Sequence, residues 1–167
     1  MFNLVSKLFL ILVGFASFQV NAALVSCTTN IEGLVAGSDS CSYSDTLDKD
    51  KPHTGPASAV NQEGFFGITD WKYAGKYGGT DPDEQEAGDI AIGFTLGGAG
   101  IESNTVGQAG TWSIDEAAFS TWNSIMLIFK SGSNTTIVGY LLNDLSEAVC
   151  TAGVCSGSWG SPFQNPP

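Results

Sequence analysis

A chain of 167 residues with a formal net charge of −11, in which 17 acidic side chains face six lysines and no arginine, is poorly suited to a polyanionic partner. Binding to nucleic acid or anionic lipid relies on Lys and Arg to displace counterions, and that chemistry is nearly absent here. Glycine is abundant at 21 residues and no long amphipathic helical period occurs, which excludes a helical bundle.

The chain opens with "MFNLVSKLFLILVGFASFQVNA": Lys7, an apolar run over 8–18, then small residues at Val20 and Ala22. This is the three-part pattern of a secretory signal peptide over 1–22. The run is too short to span a bilayer, and no later stretch is both long and apolar enough to do so. The mature chain is therefore expected to be exported, with no transmembrane segment. Residues 24–27 ("LVSC") also fit a lipobox that would lipidate Cys27. Against this, the polar spacer "QVNAA" separates that cysteine from the apolar run, and lipidation would leave three cysteines. The remainder, 23–163, suffices for one domain with a sizeable core, and 164–167 read as the start of a linker.

Four cysteines stand at 27, 41, 150 and 155. In an exported chain an even count reads as disulfides, though four cysteines allow three connectivities. Spacing favours Cys27 with Cys41 and Cys150 with Cys155, each closing a local loop, the first contributing about 3 kcal/mol on the chain-entropy model. Zinc is the competing reading for "CTAGVC", but no second close cysteine pair accompanies it.

Short apolar runs punctuated by Gly, Asn and Asp predict an all-β fold: a single-domain, two-sheet antiparallel β-sandwich, jelly-roll-like, with at most one short helix. In chain order the expected strands are 64–68 ("GFFGI"), 71–73, 89–96 ("DIAIGFTL"), 110–114 ("GTWSI"), 125–130 ("IMLIFK"), 136–142 ("TIVGYLL") and a short last strand around Trp159. Residues 115–122 ("DEAAFSTW") are the one helical candidate. The firmest local feature is a hairpin of "IMLIFK" and "TIVGYLL" about the polar turn "SGSNT". Because "IMLIFK" is apolar at successive positions, it is expected to lie centrally, covered on both faces. "SDTLDKDKPHTGP" and "GKYGGTDPDEQEAGD" carry much of the charge without periodicity and read as exposed loops.

Catalytic chemistry is poorly supplied. The single histidine, His53, lies in a polar loop, and no Gly-x-Ser-x-Gly elbow occurs. Paired carboxylates of the glycosidase kind have no clearer support than a solvated surface, so the chain is not expected to be an enzyme. Calcium is the more serious candidate: Asp81, Asp83, Glu84, Glu86 and Asp89 gather hard oxygen ligands over a short span, and Asp45, Asp48 and Asp50 form a second, lysine-diluted group. Trp71 and Trp122 are candidates for a carbohydrate platform, weighed against core burial, the usual fate of strand-flanking tryptophans. Asn134 begins a formal glycosylation sequon, "NTT".

The stretch "GTWSIDEAAFSTWNSIMLIFKSGSNTTIVGYLLND", followed by "SGSWGSPF", resembles the C-terminal half of PEP-CTERM sorting-domain proteins, the exosortase substrates of exopolysaccharide-making Gram-negative bacteria. "NQEGFFGITDWKYAGK" is similar to an upstream segment of the same group. The resemblance implies an exported cell-surface or extracellular-matrix protein, non-enzymatic and associated with exopolysaccharide or other matrix components of a biofilm, in the periplasm or outside the outer membrane. The family's sorting tail, a Pro-Glu-Pro signal with an apolar helix and basic residues, does not occur before Pro167, so the chain reads as such an ectodomain without its tail. The alternative is a small secreted carbohydrate-binding module with a loop calcium site.

Overall fold

The computed structural model describes residues 24–44, 59–76, 86–99, 108–130, 136–143, 145 and 148–163. In chain order these hold β1 (Val25–Ser26), α1 (Thr29–Glu32), β2 (Ser40–Ser44), α2 (Ala59–Glu63), a 3₁₀ turn (Phe65–Gly67), β3 (Gly75–Lys76), β4 (Glu86–Ala87), β5 (Thr95–Ala99), β6 (Ala109–Asp115), α3 (Glu116–Thr121), β7 (Met126–Lys130), β8 (Ile137–Leu141), β9 (Val149–Thr151) and β10 (Val154–Gly160). Two four-stranded antiparallel sheets form an all-β sandwich. The first has the order β1-β2-β8-β7, the second β5-β6-β10-β9, and β3 with β4 makes a separate two-stranded ladder.

Period-two alternation builds the shared core. From the second sheet, Trp112, Ile114, Cys155 and Trp159 point inward; from the first come Cys41, Leu127, Val138 and Tyr140, all buried in one cluster. The Phe129 ring meets Tyr140 of its own sheet edge-on at 5.5 Å and reaches across the layers to Trp159 at 5.6 Å. The chain itself also joins the sheets. Residues 34–36 run beside β10, with Gly160 N–H donating to Leu34 O (2.7 Å) and Ala36 N–H to Ser158 O (3.0 Å), and the chain then enters β2 of the other sheet.

A second, smaller cluster covers the outer face of the first sheet. Val60, Phe65 and Ile137 form it, with Leu24, Phe66, Trp71 and Met126 against them. Phe65 seats directly on β8: a Cβ added to Gly139 would lie 2.9 Å from the Phe65 ring and 2.9 Å from Met126 Sδ. Glycine is thus what lets this aromatic approach the sheet.

The expected hairpin forms, with Lys130 opposite Ile137 and Met126 opposite Leu141. Five expectations need correction. The strand expected at 64–68 is a 3₁₀ turn, because Gly64 (φ 65), Phe66 (φ 57) and Gly67 (φ 75) all adopt left-handed backbone that no strand accommodates. Residues 71–73 join no strand, although Tyr73 O accepts from Asp89 and Ile90 N–H at 2.8 and 3.2 Å. The strand expected over 89–96 begins only at Thr95, since Gly93 (φ 61) turns the chain. "IMLIFK" lies at the sheet edge as β7, with Ile128 39% exposed, and the central, doubly covered strand is β8. Among the described residues there are three short helices, where at most one was expected. Of these α3 matches the expected segment, while α1 and α2, of four and five residues, are too short to show a 3.6-residue period.

Candidate functional site: the outer face of the second sheet

Both expected disulfides are present, Cys27–Cys41 and Cys150–Cys155, and no cysteine is free. Of the calcium candidates, Asp81, Asp83 and Glu84 lie outside the described residues, as do Asp45, Asp48, Asp50, His53 and Asn134. Glu86 sits in β4 opposite Lys76, and Asp89 is exposed just beyond it. Among the described residues no group of three or more His, Cys, Asp or Glu side chains is placed to hold a metal ion.

The two candidate platform tryptophans pack on different clusters. Trp71 joins the small cluster outside the first sheet. The Asn61 side chain clamps its backbone, accepting from Trp71 N–H at 2.8 Å and donating to Trp71 O at 3.2 Å, and the Trp71 indole donates to Phe65 O at 3.2 Å. Trp122 ends α3 and packs half-buried on the main core. The structure therefore does not assemble them into a single aromatic surface.

The other two tryptophans each stand opposite a glycine on the neighbouring strand. In the β6–β10 ladder, Trp112 stands opposite Gly157 and Trp159 opposite Gly110, so "GTW" and "GSW" meet head to tail. A Cβ on Gly157 would come within 2.8 Å of three Trp112 ring atoms. Each indole crosses the neighbouring strand and donates beyond it: Trp112 Nε1 to Ala36 O at 3.0 Å, Trp159 Nε1 to Gly97 O at 3.1 Å. Both indole N–H groups are thereby satisfied inside the core. Tyr140 is treated alike. Its buried hydroxyl donates to Ile31 O at 3.0 Å, and burial pushes the phenol pKa well above its ordinary value.

With the large residues of β6 and β10 turned inward, alternation turns small, hydroxyl-bearing residues outward. One cross-strand row of the second sheet runs Thr95, Ser113, Ser156, Val149; the next runs Gly97, Thr111, Ser158. Neighbouring strands set such rows about 4.8 Å apart between strands and about 6.7 Å along them. Thr95, Gly97, Thr111 and Ser158 are exposed. The Thr95 and Ser113 hydroxyls share a hydrogen bond, and Ser156 Oγ donates to Val149 O at 3.4 Å. The one charged side chain of β5, β6, β9 and β10 is Asp115, at the end of β6, where its carboxylate occupies the space that a Cβ on Gly93 would need. Val149, 65% exposed, and Val154, 39% exposed, give the β9 side an apolar margin.

This face was not among the sequence-derived candidates. Its signal is the Thr/Ser alternation within "GTWSID" and "VCSGSWG", which takes on meaning only once the two segments are known to pair. Comparison with protein-family models, with curated proteins and with solved structures finds no match to this chain.

Proposed function

We propose that this chain is an exported, non-catalytic cell-surface or extracellular-matrix protein of the PEP-CTERM kind, which associates with matrix exopolysaccharide through the outer face of its second sheet. The observation that carries this reading is the open, hydroxyl-bearing and nearly uncharged surface formed by Thr95, Thr111, Ser113, Ser156 and Ser158 on a strongly acidic chain. Hydroxyls on a flat sheet both donate to and accept from the hydroxyls of a glycan, and a polymer engages many weak contacts at once, so avidity supplies what each contact lacks. Two disulfides support residence in an oxidising compartment. Among the described residues no helix is long and apolar enough to cross a membrane. The segments that carry the family resemblance provide β6, β7, β8 and β10.

The test is fractionation of the producing cells combined with co-sedimentation of the purified protein on their extracted exopolysaccharide. The expected result is recovery in the surface and matrix fractions, and sedimentation that Thr111→Glu and Ser158→Glu abolish while leaving stability within about 0.5 kcal/mol, as for most exposed positions. Recovery in the cytoplasm would overturn the location. Sedimentation unchanged in both variants would overturn the face.

A further inference from the structure

The two disulfides occupy different settings. In Cys27–Cys41, Cys41 is buried and Cys27 is half-buried against the main core. Cys150–Cys155 instead joins residues directly opposite one another on β9 and β10, across a two-residue turn of Ala152 (φ 54) and Gly153 (φ 83). Cys155 is fully buried, whereas Cys150 is exposed, as are Val149, Thr151 and Val154 around it. The sandwich does not depend on this bond to hold β10, which pairs with β6 at seven positions from Val154 to Gly160. β9 pairs with β10 at only three positions, and all three of its residues are exposed.

We propose that Cys150–Cys155 is a redox-sensitive clasp, opened by thiol exchange in the folded protein while Cys27–Cys41 stays closed. The reductant is a dithiol. Its thiolate attacks Sγ of exposed Cys150, the Cys150–Cys155 bond breaks, and Cys155 departs as a thiolate that takes up a proton as the three-pair ladder frays. The second thiol of the reductant then displaces Cys150 from the mixed disulfide. One protein disulfide becomes two thiols, and the dithiol becomes a disulfide. Exchange rates follow access to the attacked sulfur, which favours Cys150 over either partner of the other bridge. Opening releases β9 and leaves the 154–156 edge of β10 without its neighbour, a stretch of backbone able to pair with another strand.

The test uses the exported, oxidised protein incubated with dithiothreitol, quenched by alkylation and read by peptide mass spectrometry, with amide hydrogen exchange followed in parallel. Labelling of Cys150 and Cys155 is expected on the order of tenfold or more faster than that of Cys27 and Cys41. Exchange should rise across 149–156 while β2 and β8 keep their protection. Simultaneous opening of the two bridges, or earlier opening of Cys27–Cys41, would overturn the proposal. So would reduction of the hairpin only as protection is lost everywhere, or unchanged exchange at 149–156 once its cysteines are labelled.

Discussion

On the outer side of the first sheet, Phe65 lies against the backbone of Gly139; on the outer side of the second, a Cβ at Gly97 would meet, among the described residues, only Thr111, at 3.4 Å from its hydroxyl. Both glycines sit within strands, and what separates them is the company of outward-pointing residues. β7 and β8 turn Met126, Ile128 and Ile137 outward, an apolar surface that gains from burial. The segment from α2 to Trp71 supplies the cover, and its left-handed turn at Gly64, Phe66 and Gly67 folds Phe65 back onto β8. β6 and β10 turn Thr and Ser outward, which lose little by staying wet. One face has become core and the other has remained surface, by the same alternation with different residues in the outward positions.

The largest change should come from the layer that both faces share. Trp112→Ala empties the site between the sheets and leaves Ala36 O without its donor, with an expected loss of about 3–5 kcal/mol in denaturant unfolding. A loss below 1 kcal/mol would mean that the indole is not buried as described. The outer faces can then be set against each other with one substitution type. Gly139→Ala drives a methyl into Phe65 and Met126 and should cost about 1–3 kcal/mol by overpacking.

Tyr140→Phe removes the hydroxyl bonded to Ile31 O and should cost about 1 kcal/mol near neutral pH. Burial raises the folded-state phenol pKa, so the folded state holds that proton more tightly than the unfolded state does. The contribution is complete below the unfolded value of about 10 and is lost as pH rises toward the folded value. Wild-type stability should therefore decline above about pH 10, and Tyr140→Phe should flatten that decline in alkaline denaturation curves. The smallest effect is expected on the open face, where Gly97→Ala should fall within about 0.5 kcal/mol of wild type. Equal costs for Gly97→Ala and Gly139→Ala would erase the distinction between the faces.

Much of this arrangement was legible in the sequence. The all-β sandwich, the β7–β8 hairpin, α3, and the local pairing of the cysteines each rest on signals within a few residues of one another. What was not legible depended on partners distant in sequence. "SCSYS" has no aliphatic residue to mark it, yet it becomes β2 because β8 pairs with it from Ser40 opposite Leu141 to Ser44 opposite Ile137. "GFFGI" has a strand's composition, but its two glycines serve left-handed backbone instead. The unbroken apolar run of "IMLIFK" pointed to a central strand, but position within the sheet depends on the neighbours, and β8 took the centre while β7 stayed at the edge. The hydroxyl face was hidden for a similar reason. Thr and Ser at alternate positions suit any exposed strand, and only the location of the cover over the first sheet identifies the second as the open one. Trp71 and Trp122 drew attention as possible ligand contacts, whereas the glycine-paired tryptophans, Trp112 opposite Gly157 and Trp159 opposite Gly110, needed the β6–β10 register to be seen.

That reciprocal register also bears on how the sandwich finds its own pairing. β6 and β10 lie on either side of the β7–β8 hairpin in the sequence and must meet across it. A slip of one residue would put Trp112 and Trp159 on opposite faces of the sheet, turning one of them to the solvent side. A slip of two would keep them inside, but neither indole would then stand opposite its glycine, and Trp112 would lose the space that Gly157 leaves for it. The two Gly-x-Trp triplets thus act as a mutual proofreading device, rejecting near-native alignments that hydrophobic patterning alone would accept.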